Sequence, residues 1–113
     1  MKIITDKITI AELEEMSQKM FGNLVKVVVD IEKEIMAVDA DLHADEESLL
    51  LEKGSAQKNL WGINLYPEMS GDDFVEFDSM INLRPSQGNR SRGVDNENIR
   101  KRIIQIVNKL VEK

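Results

Sequence analysis

The chain alternates between two kinds of hydrophobic pattern, and this alternation constrains the fold more than any other feature of the sequence. Three segments repeat apolar residues at helical spacing, at 9–21, 45–53 and 96–111. Between them lie two pairs of extended segments, rich in β-branched residues or in apolar and polar alternation, at 24–40 and 60–83. The expected order is therefore helix, hairpin, helix, hairpin, helix. It predicts an α+β fold in which a four-stranded antiparallel sheet is covered by three helices.

The expected helix ends carry recognisable capping residues. Thr9 and Glu12 have the spacing of a capping box, in which each side chain bonds a backbone amide of the other residue. Gly22 and Gly54 stand where the first and second helices should end, because glycine adopts the left-handed conformation of a helix stop. Asp95 is the expected N-cap of the third helix.

The second hairpin is predicted to place polar side chains on one face. If it folds about Met69–Ser70, Asn64 lies opposite Glu76, and Gly62 lies opposite Asp78. The polar face then consists of Asn64, Tyr66, Glu76, Asp78, Asn82 and Arg84. An antiparallel sheet commonly leaves one face in water, so a solvated face is one interpretation. Asparagine is a poor strand former, however, so the two asparagines indicate hydrogen-bonding roles.

The composition fits one domain over residues 1–113. A chain of 113 residues, 42% of them apolar, is long enough for one hydrophobic core and too short for two ordinary ones. The absence of cysteine excludes disulfides, zinc–thiolate centres and thiol nucleophiles. No apolar run approaches the roughly 18–20 residues of a membrane span, and residues 1–7 lack the apolar core of a signal peptide. We therefore expect a cytoplasmic protein without a membrane partner.

Charge is distributed unevenly along the chain. Residues 1–83 carry seven lysines, no arginine and 18 acidic residues, whereas residues 84–113 carry five arginines, three lysines and three acidic residues. The net charge of −6 argues against nucleic acid as a partner, because such binding depends on many phosphate contacts. Arginine offers a planar fork of donors that suits carboxylate and phosphate, so the basic segment is the place to expect an anion site.

The arginine-rich stretch 84–93 has the context of such a site. It follows the last predicted strand and precedes a predicted helix, whose free N-terminal amides favour negative charge. Gly88 and Gly93 have the spacing of a Walker phosphate loop, but Val94-Asp95 stands where that motif has lysine and a hydroxyl residue. We expect a phosphate-bearing small ligand, held by arginines, by other polar residues of the loop and by the polar hairpin face. These groups are Arg84, Arg90 and Arg92; Ser86, Gln87, Asn89 and Ser91; and Asn64, Glu76, Asp78 and Asn82.

Two other interpretations compete with ligand binding by the loop. The arginines could pair with carboxylates of the acidic body or of a second copy, which would make the protein a non-catalytic homodimer or interaction module. Alternatively, Glu76 and Asp78 could perform acid–base chemistry with Arg84 as electrophilic partner, in a hydrolase with a divalent metal near His43. Whether the protein is an enzyme is left open by these residues.

A period-two series of oxygen and nitrogen ligands precedes the second helix. The residues Asp39, Asp41, His43 and Asp45 would share one face of an extended chain. The series lacks the glycine and the glutamate that a calcium loop has at its sixth and twelfth positions. A solvated strand exit followed by a helix start is therefore the expectation, with a metal site as the alternative.

Three segments resemble a known family. His43–Ser55 (HADEESLLLEKGS), Leu60–Pro67 (LWGINLYP) and Phe77–Val94 (FDSMINLRPSQGNRSRGV) are similar to sequences of a small family of uncharacterised prokaryotic proteins, described only as a domain of unknown function. The similarity spans nearly the whole chain. The resemblance implies a bacterial or archaeal setting and brings no activity, cofactor or catalytic residue.

Overall fold

The computed structural model describes residues 1–113 and contains three α-helices and seven strands. In chain order they are β1 (Lys2–Ile4), β2 (Ile8–Thr9), α1 (Ile10–Lys19), β3 (Val25–Asp30), β4 (Ile35–Val38), α2 (His43–Glu52), β5 (Leu60–Leu65), β6 (Val75–Glu76), α3 (Glu97–Leu110) and β7 (Val111–Glu112). Short 3₁₀ turns occupy parts of the chain between α2 and α3. The mixed α+β class expected from the sequence is confirmed.

The main sheet has five antiparallel strands in the order β1-β4-β3-β5-β6, and β2 pairs in parallel with β7. The predicted four-stranded sheet is therefore only partly right, because β1 adds a fifth strand beside β4. The predicted helix and hairpin order is also matched only in part. Two strands precede α1, and a further strand follows α3.

The second hairpin is shorter than the alternating pattern predicts. Two residues of β6 pair with β5, and Glu76 lies opposite Asn64 as expected. Beyond Glu76 the chain leaves the sheet and forms a 3₁₀ turn at Met80–Asn82. The predicted pairing of Gly62 with Asp78 is wrong. The side chain of Asn82, the last residue of this turn, hydrogen-bonds the backbone of Gly62 at the position where a longer β6 would pair with it.

Gly62 also allows the chain after β6 to come unusually close to β5. A Cβ atom placed on Gly62 would lie 2.5 Å from Cβ and 2.6 Å from Oγ of Ser79. Real Cβ atoms essentially never come this near another carbon, so a larger residue would displace the 3₁₀ turn. The glycine therefore permits direct packing of the turn on the strand.

Helices cover both faces of the sheet. Leu13 of α1 and Ile106 of α3 pack on one face with Val27 of β3, within a core of 18 buried residues. Val28 faces the other way and packs with Leu50 of α2 in a smaller cluster. Successive strand residues point to opposite faces, so the valine run of β3 supplies both layers. None of the helices has the length and apolar composition needed to cross a membrane.

The helix starts agree with the sequence patterns to within two residues. Thr9 Oγ1 accepts a hydrogen bond from the Glu12 amide at 3.1 Å, as the capping box predicts. The Glu12 carboxylate bonds the Thr9 hydroxyl instead of the Thr9 amide. α2 begins at His43, two residues earlier than expected. The N-cap of α3 is Asn96 and not Asp95, because the Asn96 side chain accepts from two amides of the first turn.

Candidate functional site

A groove of about 510 Å³ lies between the start of α2 and the sheet edge formed by β5 and β6. Cavities of this size accommodate small ligands. Polar or ionisable side chains occur throughout its lining, together with apolar residues. They are Lys26, His43, Asn64, Tyr66, Glu76, Asp78, Ser79 and Arg92. We call this feature the α2–β6 groove.

Strand register explains why several of these residues meet. Asn64 and Tyr66 are two positions apart along the β5 segment, so they share a face. Lys26 of β3 lies opposite Asn64 on one side, and Glu76 of β6 lies opposite it on the other. His43, the first residue of α2, contacts the same strand from above the sheet. The groove thus assembles residues from four elements around Asn64.

Asn64 is bonded through its nitrogen but not through its oxygen. Nδ2 donates to Glu76 Oε1 at 2.9 Å and to the Asp78 carbonyl oxygen at 3.3 Å. The Tyr66 hydroxyl donates to the same Glu76 oxygen at 2.8 Å. Asn64 is only 6% exposed, and its Oδ1, itself buried, has no well-aligned hydrogen-bond partner, although the Asn64 side chain interacts with the His43 ring and favours its protonated form. Burial, followed by the Glu76 carboxylate, raises the pKa of Tyr66 above its ordinary value.

His43 is held against β5 in its neutral form. Its Nε2 lies 2.8 Å from the Ile63 carbonyl oxygen, which can only accept, so Nε2 carries the proton of the neutral ring. Burial is the main cause that lowers the pKa of His43, and the charge of Lys26 lowers it further. The Ile63 carbonyl, Asp78 and the Asn64 side chain act in the opposite direction. At neutral pH the imidazole therefore adds no positive charge to the groove.

Two cationic side chains and a helix start face the same groove. Arg92 Nε donates to Asp78 Oδ1 at 2.7 Å, and the two terminal nitrogens of this guanidinium have no partner. Lys26 forms no salt bridge, and its Nζ lies 4.9 Å from the ring centroid of Phe21. The N-cap residue Leu42 supplies no side-chain acceptor, so the first amides of α2 are open at this end. Such amides attract anions.

Of the eleven residues predicted to bind a ligand, four line the α2–β6 groove. They are Asn64, Glu76, Asp78 and Arg92. The structure thus brings three residues of the predicted polar hairpin face together with Arg92, one of the three arginines. The other seven residues lie elsewhere and have different environments.

Arg84 is directed into the protein. Its two terminal nitrogens donate to the carbonyl oxygens of Gln57 at 2.6 Å and Leu60 at 2.7 Å. Its Cζ lies 4.1 Å from the ring centroid of Trp61. Burial lowers the pKa of Arg84, and the charge of Glu47 partly opposes this. Arg84 therefore anchors the segment after β6 to the residues that lead into β5.

Asn82 and Asn89 are both buried and both bond the backbone. The Asn82 side chain pairs with Gly62 and also donates to the Arg92 carbonyl oxygen at 2.9 Å. Asn89 Nδ2 donates to three carbonyl oxygens, those of Asn82, residue 91 and residue 93, at 2.7, 3.1 and 2.9 Å. Asn89 Oδ1 accepts from the Asp95 amide at 2.8 Å. These amides fix the path of the arginine-rich loop.

The remaining loop residues are exposed. Ser86 and Gln87 belong to a 3₁₀ turn that ends at Gly88, whose φ of 83° suits glycine. The Ser91 hydroxyl donates to Asp95 Oδ1 at 2.5 Å, and the amide of residue 90 donates to the other Asp95 oxygen at 2.8 Å. The Arg90 guanidinium has no hydrogen-bond or ion-pair partner.

The period-two series before α2 does not form one four-residue site, because His43 lies apart from the three aspartates. Asp39, Asp41 and Asp45 line a separate groove, whereas His43 faces Ile63. The chain contains no group of three or more histidine and acidic side chains with metal-binding geometry. The series diverges because the helix begins at His43 and ends the extended spacing on which the shared face depended.

A buried carboxyl group lies one helical turn after His43. Glu46 is fully buried, and neither of its oxygens has a well-aligned hydrogen-bond partner. Burial raises its pKa to about 10, although the nearby Ala40 amide and the charge of Lys26 favour the ionised form. Glu46 is therefore protonated at neutral pH.

The residues expected from the sequence to bind the ligand did not include Lys26, Tyr66 or His43. The alternation of β5 placed Tyr66 on the same face as Asn64, so a signal for it was present. Lys26 joins the groove only through the pairing of β3 with β5. His43 joins it through the packing of α2 on the sheet, which no local pattern specifies.

Comparison with known proteins gives a family but no activity. No curated protein and no solved structure matches the chain. One family model, described as a protein of unknown function (DUF5674), matches residues 2–110. The match covers nearly the whole chain, so the protein belongs to the DUF5674 family.

Proposed function

We propose that the protein binds a small anionic ligand, with a phosphate-bearing metabolite as the favoured class, in the α2–β6 groove. The observation that carries this proposal is that Arg92, Lys26 and the open N-terminus of α2 border one groove. The arginine-rich loop contributes through Arg92, while Arg84 and Arg90 lie outside the groove.

Arg92 is the principal anion-binding group in this proposal. Its Nε already bonds Asp78, and this contact sets the orientation of the guanidinium plane. The two terminal nitrogens remain for a bidentate contact with phosphate oxygens, which is the geometry in which arginine binds this group best. Lys26 adds a second positive charge without a competing carboxylate partner.

The carboxylates of Glu76 and Asp78 limit where the anion can lie. Both line the groove, and only Asp78 is paired with a cation. A phosphate group is repelled by an unpaired carboxylate, so in this proposal it contacts Arg92, Lys26 or the first amides of α2 and not Glu76. The rest of the ligand would extend toward Asn64 and Glu76.

Titration of the ¹⁵N-labelled protein with inorganic phosphate and a panel of organic phosphates tests the proposal. We expect saturable shifts of the amide signals of residues 43–44 and 92. Arg92→Gln and Lys26→Gln should each weaken binding about tenfold, since each removes one charged contact. The matched control Arg90→Gln removes an arginine outside the groove and should leave the dissociation constant unchanged. Equal losses in all three variants would indicate attraction by net charge alone and would contradict the groove.

A second candidate is assembly of two copies through the arginine-rich loop. It is favoured by Arg90, which is exposed and has no intramolecular partner. Sedimentation at low and high salt tests it, because a dimer held by exposed ion pairs should dissociate as salt rises. A monomer at all salt concentrations would rule it out.

A further inference from the structure

We infer that a second groove of the protein binds an extended peptide of another protein, in which acidic residues flank an apolar one, and that this peptide adds as a strand to the free edge of β6. The groove has a volume of about 920 Å³ and lies between β6 and α3. Val75 and Phe77 line its strand side, and Arg100 and Ile104 line its helix side. We call it the α3–β6 groove. It shares no lining residue with the α2–β6 groove.

The free edge of β6 supplies unpaired backbone groups. β6 is the last strand of the sheet, so one of its edges has no neighbouring strand. The Phe74 carbonyl oxygen accepts from the Tyr66 amide of the β5 side at 2.9 Å. Residues of an antiparallel pair alternate between bonded and non-bonded positions, so the amide and the carbonyl of Val75 point away from β5. No turn or loop residue bonds them. An antiparallel peptide can therefore exchange two hydrogen bonds with Val75.

The chain itself covers the edge beyond Phe77. The Ser79 amide donates to the Arg92 carbonyl oxygen at 2.9 Å. A Cβ atom placed on Gly93 would lie 3.3 Å from the Phe77 carbonyl oxygen. A peptide strand can thus pair with β6 at Val75 and cannot continue along the edge past Phe77. Two main-chain bonds give modest affinity, so the side-chain contacts in the groove decide which peptides bind.

The groove offers an apolar surface to one side chain of the peptide. Strand addition combines main-chain bonds at a sheet edge with pockets for alternate side chains. The peptide residue opposite Val75 lies on the same face of the sheet as Val75, beside the partly exposed side chains of Phe77 and Ile104. Ile104 packs on neither hydrophobic core, so its apolar surface is available to a partner. An apolar residue is therefore expected at the centre of the peptide.

Two cations without carboxylate partners lie at the two ends of the groove. Lys113 Nζ lies 4.8 Å from the ring centroid of Phe74. Arg100 Nη1 donates to the Val94 carbonyl oxygen at 2.6 Å, near the Phe77 end, and its Nε and Nη2 have no partner. Strand residues two positions apart share a face, so acidic residues two positions before and after the apolar one point toward these cations.

The carboxylates of the groove do not cancel this preference. Glu97 pairs with Lys101 at 3.5 Å. Asp72 is the one carboxylate of the lining without a cation partner. The unpaired side chains thus carry two positive charges and one negative charge. A second copy of the chain would bring the same charges to the edge, so an acidic peptide fits the groove better than β6 of a second copy.

The acetylated and amidated pentapeptide Asp-Thr-Phe-Thr-Asp is the probe that tests this inference. Titration of the ¹⁵N-labelled protein should give saturable shifts of the amide signals of Val75 and of residues 100–105. A methyl group on the phenylalanine nitrogen removes one bond to Val75 and should weaken binding about tenfold. A methyl group on the nitrogen of the second threonine is the matched control, because that N–H points away from β6, and should leave binding nearly unchanged. Replacing both aspartates with lysine should also weaken binding about tenfold.

Two variants test the side-chain contacts from the protein side. Ile104→Gln removes the apolar contact of α3, and Lys113→Gln removes one cation, so each should weaken binding of the probe severalfold. Asn98→Ala changes an exposed residue of α3 outside the groove and should leave the dissociation constant unchanged. Circular dichroism of each variant checks that the fold is retained.

Several results would overturn the inference. Equal binding of the two methylated peptides would show that no strand is added at Val75. Equal or tighter binding of the lysine peptide would remove the charge preference. Shifts confined to residues 43–44 and 92 would place the peptide in the α2–β6 groove, and no shifts at millimolar peptide would leave the edge without this partner. Shifts of Val75 that grow with protein concentration alone would assign the edge to a second copy of the chain.

Discussion

The side chain of Asn82 hydrogen-bonds both backbone groups of Gly62. The Gly62 amide donates to Asn82 Oδ1 at 2.8 Å, and Asn82 Nδ2 donates to the Gly62 carbonyl oxygen at 2.9 Å. One carboxamide thus replaces the backbone pairing that a longer β6 would provide. The chain after β6 can then leave the sheet without leaving the polar groups of Gly62 unpaired.

Asn82→Ala should lower the free energy of unfolding by about 2–4 kcal/mol, because it leaves both backbone groups of Gly62 and the Arg92 carbonyl without their bonds. Urea denaturation followed by circular dichroism measures this change. Asn98→Ala, at an exposed position of α3, is the matched control and should change stability by less than about 0.5 kcal/mol. Equal effects of the two substitutions would show that the Asn82 bonds contribute nothing specific.

Gly62→Ala should destabilise the fold by about 1–3 kcal/mol through overpacking against Ser79. The close contact involves the Cβ and Oγ atoms of Ser79, so Ser79→Gly should remove most of it. In the double variant, the methyl group introduced at position 62 would no longer meet that side chain, and a double-mutant cycle of unfolding energies should reveal the coupling. Strict additivity of the two single changes would contradict the proposed clash.

Arg84→Ala should cost about 2–4 kcal/mol of stability, because it removes two charge-assisted hydrogen bonds and the stacking on Trp61. Arg84→Lys should recover only part of this loss, since lysine keeps the charge but not the planar fork. Thermal denaturation with Arg90→Ala as control provides the measurement. A control that loses as much stability as Arg84→Ala would mean that the internal contacts of Arg84 are not responsible.

Glu46→Gln should stabilise the protein at neutral and alkaline pH. The folded state raises the pKa of Glu46 from 4.5 to about 10, so between these values the folded protein holds a proton that the unfolded chain releases. The free energy of unfolding therefore falls as pH rises through this range, by up to about 1.4 kcal/mol per pH unit from this group. Glutamine is neutral and nearly isosteric, so it should remove this dependence.

Chemical denaturation of the Glu46→Gln variant from pH 4 to pH 9 measures the effect. The variant and the wild type should be similar near pH 4, and the variant should be more stable by up to about 5 kcal/mol at pH 8. Glu52→Gln, an exposed position on the same helix, should parallel the wild type. A constant difference across the range would show that Glu46 does not titrate as expected.

The sequence specified the parts of the fold that depend on local pattern. Hydrophobic periodicity located all three helices, and placing the second hairpin's turn about Met69–Ser70 gave Asn64 its correct partner, Glu76. The hydrophobic pattern did not reveal that β6 ends at Glu76. The residues from Phe77 to Leu83 still alternate, but a side-chain bond between Asn82 and β5 replaces the backbone ladder, and periodicity cannot distinguish the two.

The candidate site was only partly predictable for a related reason. Counting charges suggested that the arginines would meet carboxylates or a ligand, yet Arg84 bonds two backbone carbonyls, which carry no formal charge. His43 and Lys26 reach the groove through contacts between elements distant in sequence. Arg92 and Asp78 were both among the predicted residues, but their direct pairing depends on the folded path of the loop.

The hydrogen bonds of Asn89 bear on the conformational entropy that ligand binding would cost. Its one carboxamide engages four backbone groups between residues 82 and 95, so hydrogen bonds within the chain hold the segment that carries Arg92. Association would then require little ordering of the chain, and less of the interaction free energy would be lost as conformational entropy. Amide hydrogen exchange in this segment should accordingly be slow before a solute is added and change little afterwards.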